Sequence, residues 1–207
     1  MHRRHPELIL ALLLLTTLAF SGQVLAEDLP EAKRPKTWAQ PVELPGTPNL
    51  HKVSDVLYRS AQPTDEGMKQ LEKKLGLKTV VNLRGLHSDR DELEGTKIQY
   101  VHIRIRTWRM KEKHVLRFLK LVLDPSKQPV LVHCWHGADR TGTMAAFYRM
   151  VVQGWTKEEA LREMTQGGFN YHSVWTNLID FIEKADIPEY RRKLGIPEPK
   201  KPEEPKK

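Results

Sequence analysis

Between about Val53 and Ala185 the chain alternates two hydrophobic rhythms. Short apolar runs at Val53 to Arg59, Lys78 to Leu83, Ile98 to Ile105 and Gln128 to His133 are rich in β-branched residues and bounded by Gly, Pro or charge, which suits strands. Longer stretches between and after them repeat near 3.6. Pro63-Thr64-Asp65-Glu66 opens a helix carrying Met68, Leu71 and Leu75, and Gly76 ends it. Glu112 to Leu123 aligns Val115, Phe118, Leu119 and Val122 on one stripe, and Asp124-Pro125 stops it. Thr141 to Gln153 has a wide apolar face of Met144, Ala145, Phe147, Tyr148, Val151 and Val152, closed by Gly154. Thr156-x-x-Glu159 is a capping box for a helix with Ala160, Leu161 and Met164 that Gly167-Gly168 interrupts, and a last helix runs from about Ser173 to Ala185. Leu86 to Gly95 has no apolar period and reads as a surface loop or a short turn of helix. Strands alternating with helices predict an α/β fold: a mainly parallel central sheet with helices on both faces.

Both ends break these rhythms. Residues 1–26 place His2, Arg3, Arg4 and His5 before the apolar run Leu8 to Phe20, and Val24-Leu25-Ala26 offers small residues for cleavage. That is the organisation of a secretory signal peptide, and the run is short of the roughly 20 residues that span a bilayer. The expected protein is therefore exported, periplasmic or secreted and bacterial in look, with no stable membrane span after cleavage. Residues 27–50 read as an extended Pro-rich lead-in whose Trp38 is a candidate to dock on the domain, residues 51–190 as one domain, and residues 191–207 as a disordered tail of Pro, Lys and Glu.

At 207 residues and 39% hydrophobic content, the chain buries one substantial core. Its formal net charge is +8; losing Arg3, Arg4 and Glu7 with the leader leaves about +7. Such a surface suits anionic substrates, while no aromatic-interleaved basic strand or zinc spacing points to nucleic acid. A single cysteine forms no internal disulfide, so that thiol needs another purpose, either as a small buried hydrophobe or as a nucleophile. Nothing in the pattern fixes an oligomeric state.

The cysteine sits where the last strand hands over to a helix, in His133-Cys134-Trp135-His136-Gly137-Ala138-Asp139-Arg140-Thr141-Gly142. Unpaired N–H groups and the dipole at a helix N-terminus attract anions and favour a thiolate over a thiol. With five residues between Cys134 and Arg140, the loop can curl until its amides and the guanidinium surround one tetrahedral oxyanion, with Cys134 beneath the phosphorus.

His-Cys-x5-Arg-Thr-Gly resembles the signature loop of the cysteine-dependent protein tyrosine phosphatases, above all the atypical dual-specificity group of bacterial exported type. Tyr58-Arg59-Ser60-Ala61-Gln62-Pro63 is similar to an opening seen in bacterial and fungal-type members. The resemblance implies hydrolysis of phosphomonoesters, phosphotyrosine or dual-specificity protein substrates foremost, through a phosphocysteine and without metal or organic cofactor. It implies Cys134 as nucleophile and Arg140 with the loop amides as anion cradle. Thr141 would assist sulfur departure, with an ordinary N-terminal helix residue as its plain alternative, and His133 would orient the loop from behind. Trp135, His136, Gly137 and Ala138 would shape the pocket, and Arg104 and Arg106, in a basic run with Arg109, Lys111 and Lys113, would bind further phosphates or acidic residues at its rim, with a merely solvated cationic face as the plain alternative.

One family feature is missing. Dual-specificity phosphatases usually carry an acidic proton donor about thirty residues before the cysteine, yet Ile103 to Met110 contains no acid. Gly-x-Asp-Arg-Thr is similar to the loop of myotubularin-type lipid phosphatases, which points to Asp139 as the donor. Asp89, Asp91 and Glu112 are its rivals, and a structural carboxylate paired with a neighbouring base is the plainer reading of Asp139. The other functional readings are an inositol-phosphate or phospholipid phosphatase, or a phosphate-binding module with impaired catalysis. Rhodanese-like sulfurtransferases have a comparable but shorter cysteine loop, arsenate reductases of the low-molecular-weight type need more cysteines, and no Gly-x4-Gly-Lys-Ser/Thr loop is present.

Overall fold

The computed structural model describes residues 34–197; the expected signal peptide and most of the expected tail lie outside them. Six strands form one sheet in the order β1-β2-β3-β6-β4-β5: β1 (Gln40–Pro41), β2 (His51–Lys52), β3 (Leu57–Ser60), β4 (Thr79–Asn82), β5 (Gln99–His102) and β6 (Val130–His133). The pairs β3–β6, β6–β4 and β4–β5 are parallel, whereas β1–β2 and β2–β3 form an antiparallel edge. This is the expected α/β architecture, and β6 lies inside it with a parallel neighbour on each side.

Alternation along the inner strands sorts the side chains onto two faces. Tyr58, Val80 and Leu131 join Met68 and Leu71 of α1 (Asp65–Leu75) under one face. Leu57, Val81, Val130 and Val132 meet the other helices: α2 (Glu112–Leu123), α3 (Asp139–Val151), α4 (Lys157–Gln166), α5 (Thr176–Glu183) and α6 (Ile187–Leu194). Helices thus cover both faces, α1 alone on one. Twelve of the thirteen residues of α3 are buried, so this helix runs through the core with its N-terminus at the carboxyl end of β6. Among the described residues no helix is long and apolar enough to cross a membrane.

The folded unit is wider than residues 51–190. Trp38 and Ala39 are buried ahead of β1, and α6, started by the Asp186 cap and stopped by left-handed Gly195, continues to Leu194 with Arg191 buried. Both extensions escape a reading by periodicity because each contributes only a few apolar contacts. The first is anchored instead by a polar knot. Arg149 of α3 donates from Nε and Nη2 to Glu163 of α4 at 2.8 and 2.6 Å, and Glu163 also accepts from the Ala39 amide at 2.6 Å. Both side chains are nearly fully buried. Glu163→Ala strands a desolvated guanidinium and frees the Ala39 amide, so it is expected to cost about 3–5 kcal/mol. A urea titration checks this: the midpoint should fall with little change in slope.

Candidate active site

Parallel sheets offer ligands the space beyond their strand carboxyl ends, and β6 delivers Cys134 there. The first turn of α3 follows only five residues later, at Asp139 and Arg140. Closing so short a link presses the loop against the connection between β3 and α1. Gly137 has φ +72°, and a Cβ on it would lie 2.5 Å from the Ala61 nitrogen and the Ser60 carbonyl carbon, contacts only glycine avoids.

Three outward-facing carbonyls pin the loop. Arg59 Nη2 donates to the Gly137 carbonyl at 2.8 Å, the Gln62 amide to Trp135 at 3.1 Å, and Asn49 Nδ2 to His136 at 2.9 Å. In a trans peptide the N–H points opposite the carbonyl, so these anchors turn the amides of His136, Gly137 and Ala138 the other way. Among the described residues, none of those three amides donates to a protein acceptor. They form a preset group of donors at the start of α3, the arrangement that binds phosphate. Arg59 is itself buried in β3 with its guanidinium 3.6 Å from the Phe169 ring centre; burial lowers its pKa to about 10, which Glu163 partly offsets. At neutral pH it keeps its charge.

Beneath the cysteine lies a buried polar bracket. His133 Nε2 faces Asp89 Oδ2 at 2.7 Å and its Nδ1 faces the Cys134 carbonyl at 3.2 Å. Asp89 further accepts from Asn82 Nδ2 at 2.7 Å and Gln62 Nε2 at 3.1 Å. The Gln62 side-chain Oε1 accepts from Arg84 Nη1 at 3.0 Å, and the Arg84 guanidinium lies 4.1 Å from the Trp135 ring centre. Asp89 is fully buried and engaged with three donors, so this rival for the acid role is a fixed support for His133 and the loop.

In front of the loop opens a groove of about 1150 Å³ bordered by Arg140, Trp135, Arg84 and the segment Arg104 to Arg109. Arg104 and Arg106 line it, with Arg109, Lys111 and Lys113, and among the described residues no carboxylate borders it. Asn177 Nδ2 of α5 donates to the Thr107 carbonyl at 3.0 Å, tying the basic segment to the helical layer. Trp108 and Trp135 are 62% and 53% exposed, presenting two aromatic faces to the groove. Arg140 Nη1 reaches the Ile105 carbonyl at 3.4 Å, while its Nε and the buried Thr141 hydroxyl have no hydrogen-bond partner in the structure. The contact of Thr141 with the cysteine sulfur that the family resemblance implies is therefore not made here. Gly137 and Ala138 are buried and serve through their backbone; His136 is exposed but turned toward His172, with ring centres 5.0 Å apart.

The remaining carboxylates separate clearly. Glu112 forms an ion pair with Lys193 of α6, away from the groove. Asp91 is exposed and borders a neighbouring pocket that shares Arg84 and Trp135 with the first. Asp139 lies within the loop, largely buried, and accepts from the His172 amide at 3.0 Å; the His172 Nδ1 is 3.0 Å from both of its oxygens. His172 is the neighbouring base of the plainer reading, and no local pattern marked it in the sequence. No local pattern marks Asn49 either, whereas Arg59 stands out as a charge at the end of an otherwise apolar strand segment.

A cysteine at the carboxyl end of a buried strand, a preset amide loop and an arginine in the first turn of the next helix define a cysteine-dependent phosphatase site. The chain belongs to the dual-specificity (DSP) type of that protein tyrosine phosphatase family. The family model described as DSP-PTPase phosphatase fused to NAD+ kinase matches residues 39–176. The dual specificity protein phosphatase TpbA of Pseudomonas aeruginosa is 37% identical over 157 residues, 75% of this chain and 70% of that protein. The crystal structure of a cysteine-to-serine variant of TpbA in complex with phosphotyrosine superposes with a TM-score of 0.70 at 34% identity, covering 78% of this chain and 98% of that one. More distant is the catalytic core of the PP-IP phosphatase SIW14 of Saccharomyces cerevisiae, with a TM-score of 0.65 at 25% identity, over 74% of this chain and 94% of the other.

Proposed function

We propose that this phosphatase hydrolyses phosphotyrosine, and protein phosphomonoesters more widely, through a phosphocysteine intermediate. The observation that carries the reading is the pinned loop, in which Cys134 leaves the carboxyl end of β6, the amides of residues 136–138 are unpaired and Arg140 follows in the first turn of α3. The Cys134 thiolate attacks phosphorus as the bond to the leaving oxygen breaks, while Arg140 and the amides hold the equatorial oxygens. Asp139 gives its proton to the leaving oxygen. Water then attacks the phosphocysteine, Asp139 takes a proton from it, and the phosphorus–sulfur bond breaks to return thiolate and inorganic phosphate. Thr141 stands next to Arg140 with an unengaged hydroxyl that suits the departing sulfur.

Two aromatic faces beside the cradle favour an aryl phosphate, and TpbA, whose variant binds phosphotyrosine, is the similar protein that supports this. The cationic rim of Arg104, Arg106, Arg109, Lys111 and Lys113 favours acidic or further phosphorylated residues around it. That same charge density supports a second reading, an inositol diphosphate, which is the substrate class named for SIW14. Phosphate release from a phosphotyrosine peptide, a phosphoserine peptide and an inositol diphosphate, compared as kcat/KM, separates the two. A preference of tenfold or more for the inositol compound would overturn the protein-phosphate reading. Export with removal of residues 1–26 is part of the same proposal, supported by their leader-like pattern; recovery of Met1 on exported protein by terminal sequencing would remove the cleavage, and recovery of the chain in the cytoplasm alone would remove the export.

A further inference from the structure

We infer that His136, Asp139 and His172 form a binding site for a borderline transition-metal cation such as Zn²⁺, beside the catalytic loop and distinct from its thiol. Each of the three offers one ligand atom, and these atoms all lie within 4.8 Å of one another. Two imidazoles and one carboxylate are a donor set that zinc, but not magnesium or calcium, prefers. The spacing is close to what coordination requires. Ligand atoms about 2.0–2.1 Å from a tetrahedral zinc stand about 3.3 Å apart, and the His172 Nδ1 to Asp139 separation is already 3.0 Å. Only His136 has to move, and its ring is exposed, on a loop whose backbone is fixed at the His136 carbonyl.

The surroundings complete the case. Asp139 is 8% exposed and fixed by the His172 amide, so one ligand is preorganised. His172 is 44% exposed, which leaves an entry path and room for water in the fourth position. Among the described residues no Lys or Arg side chain hydrogen-bonds or pairs with these three groups, and Arg140 turns toward Ile105 instead. Occupation would hold the Asp139 carboxylate on the metal and so withhold the proton that the proposed reaction needs. The cation is then a reversible brake; the binding stands by itself, and only the braking rests on the phosphatase reading.

Zinc also binds thiolates, so the decisive experiment removes the thiol. Zn²⁺ titrated calorimetrically into full-length Cys134→Ser should bind with one equivalent per chain. His172→Ala and His136→Ala, each added to that background, should weaken the affinity by about tenfold or more, as loss of a ligand must cost at least what loss of an outer-shell partner does. His87→Ala, in the other His and carboxylate cluster formed with Asp89 and Glu92, should leave it unchanged. Co²⁺ added to the unmutated chain should show visible d–d bands without the intense sulfur-to-cobalt charge-transfer band. Failure of Cys134→Ser to bind, a cobalt–sulfur band, or affinity that follows His87 rather than His172 would each overturn the site. None of those results touches the phosphatase reading, which is measured as phosphate release in the presence of a chelator.

Discussion

Cys134→Ser is expected to abolish phosphate release while leaving phosphotyrosine binding nearly intact. A serine hydroxyl provides no stable anion at neutral pH, and loss of a nucleophile of this kind costs on the order of 10⁶ in rate. Binding should survive because Cys134 does not hold the cradle together. Arg59, Gln62 and Asn49 pin the loop carbonyls, and His133 supports it from behind. Oxygen also fits where the buried sulfur sits. Phosphate release and calorimetric titration with a phosphotyrosine peptide, run on the same preparation, check both halves. Turnover within tenfold of wild type would sink the phosphocysteine mechanism, and loss of peptide binding with the fold intact would show that the thiolate itself anchors the ligand.

Replacing Asp139 with Asn should reduce the rate by roughly 10²–10⁴ on phosphates with poor leaving groups, the range usual for general acid catalysis. The loss should be far smaller on an aryl phosphate whose phenolate departs without a proton. Asn preserves an oxygen for the His172 amide, so the packing between the loop and the segment after Phe169 is largely kept. Equal slowing of both substrate types would mean that Asp139 shapes the loop through His172 and donates no proton. Among the rivals the same comparison would then move to Asp91 at the neighbouring pocket, because Asp89 is saturated and Glu112 is paired with Lys193.

The elements read from the pattern differ in how much of their origin is local. Helix α2 occupies Glu112–Leu123, the span its apolar stripe and the Asp124-Pro125 stop predict, and Thr156 and Glu159 close their capping box as expected. A helix owes its hydrogen bonds to residues four apart, so its limits lie in adjacent sequence. Strands β1 and β2 are only two residues each and exist because a neighbouring strand pairs with them. Arg191 and Trp38 likewise take their burial from distant elements, which is why the domain is wider than its periodicity.

Within the site the same division holds. A strand ending at His133, a five-residue link and a helix opening at Asp139-Arg140 are consecutive in the chain, and they place the cysteine at a helix N-terminus with an arginine in its first turn. That much the amino-acid order determines by itself, through local sterics and the helix terminus. Tertiary packing decided which carboxylate supports and which is free to act. Asp89 meets His133 across 44 positions, Arg59 reaches Gly137 across 78, and His172 closes on Asp139 across 33. Side chains so far apart in sequence carry no spacing signal, because their meeting depends on the parallel order of β3, β6 and β4 and on how the segment after Phe169 folds back over the start of α3.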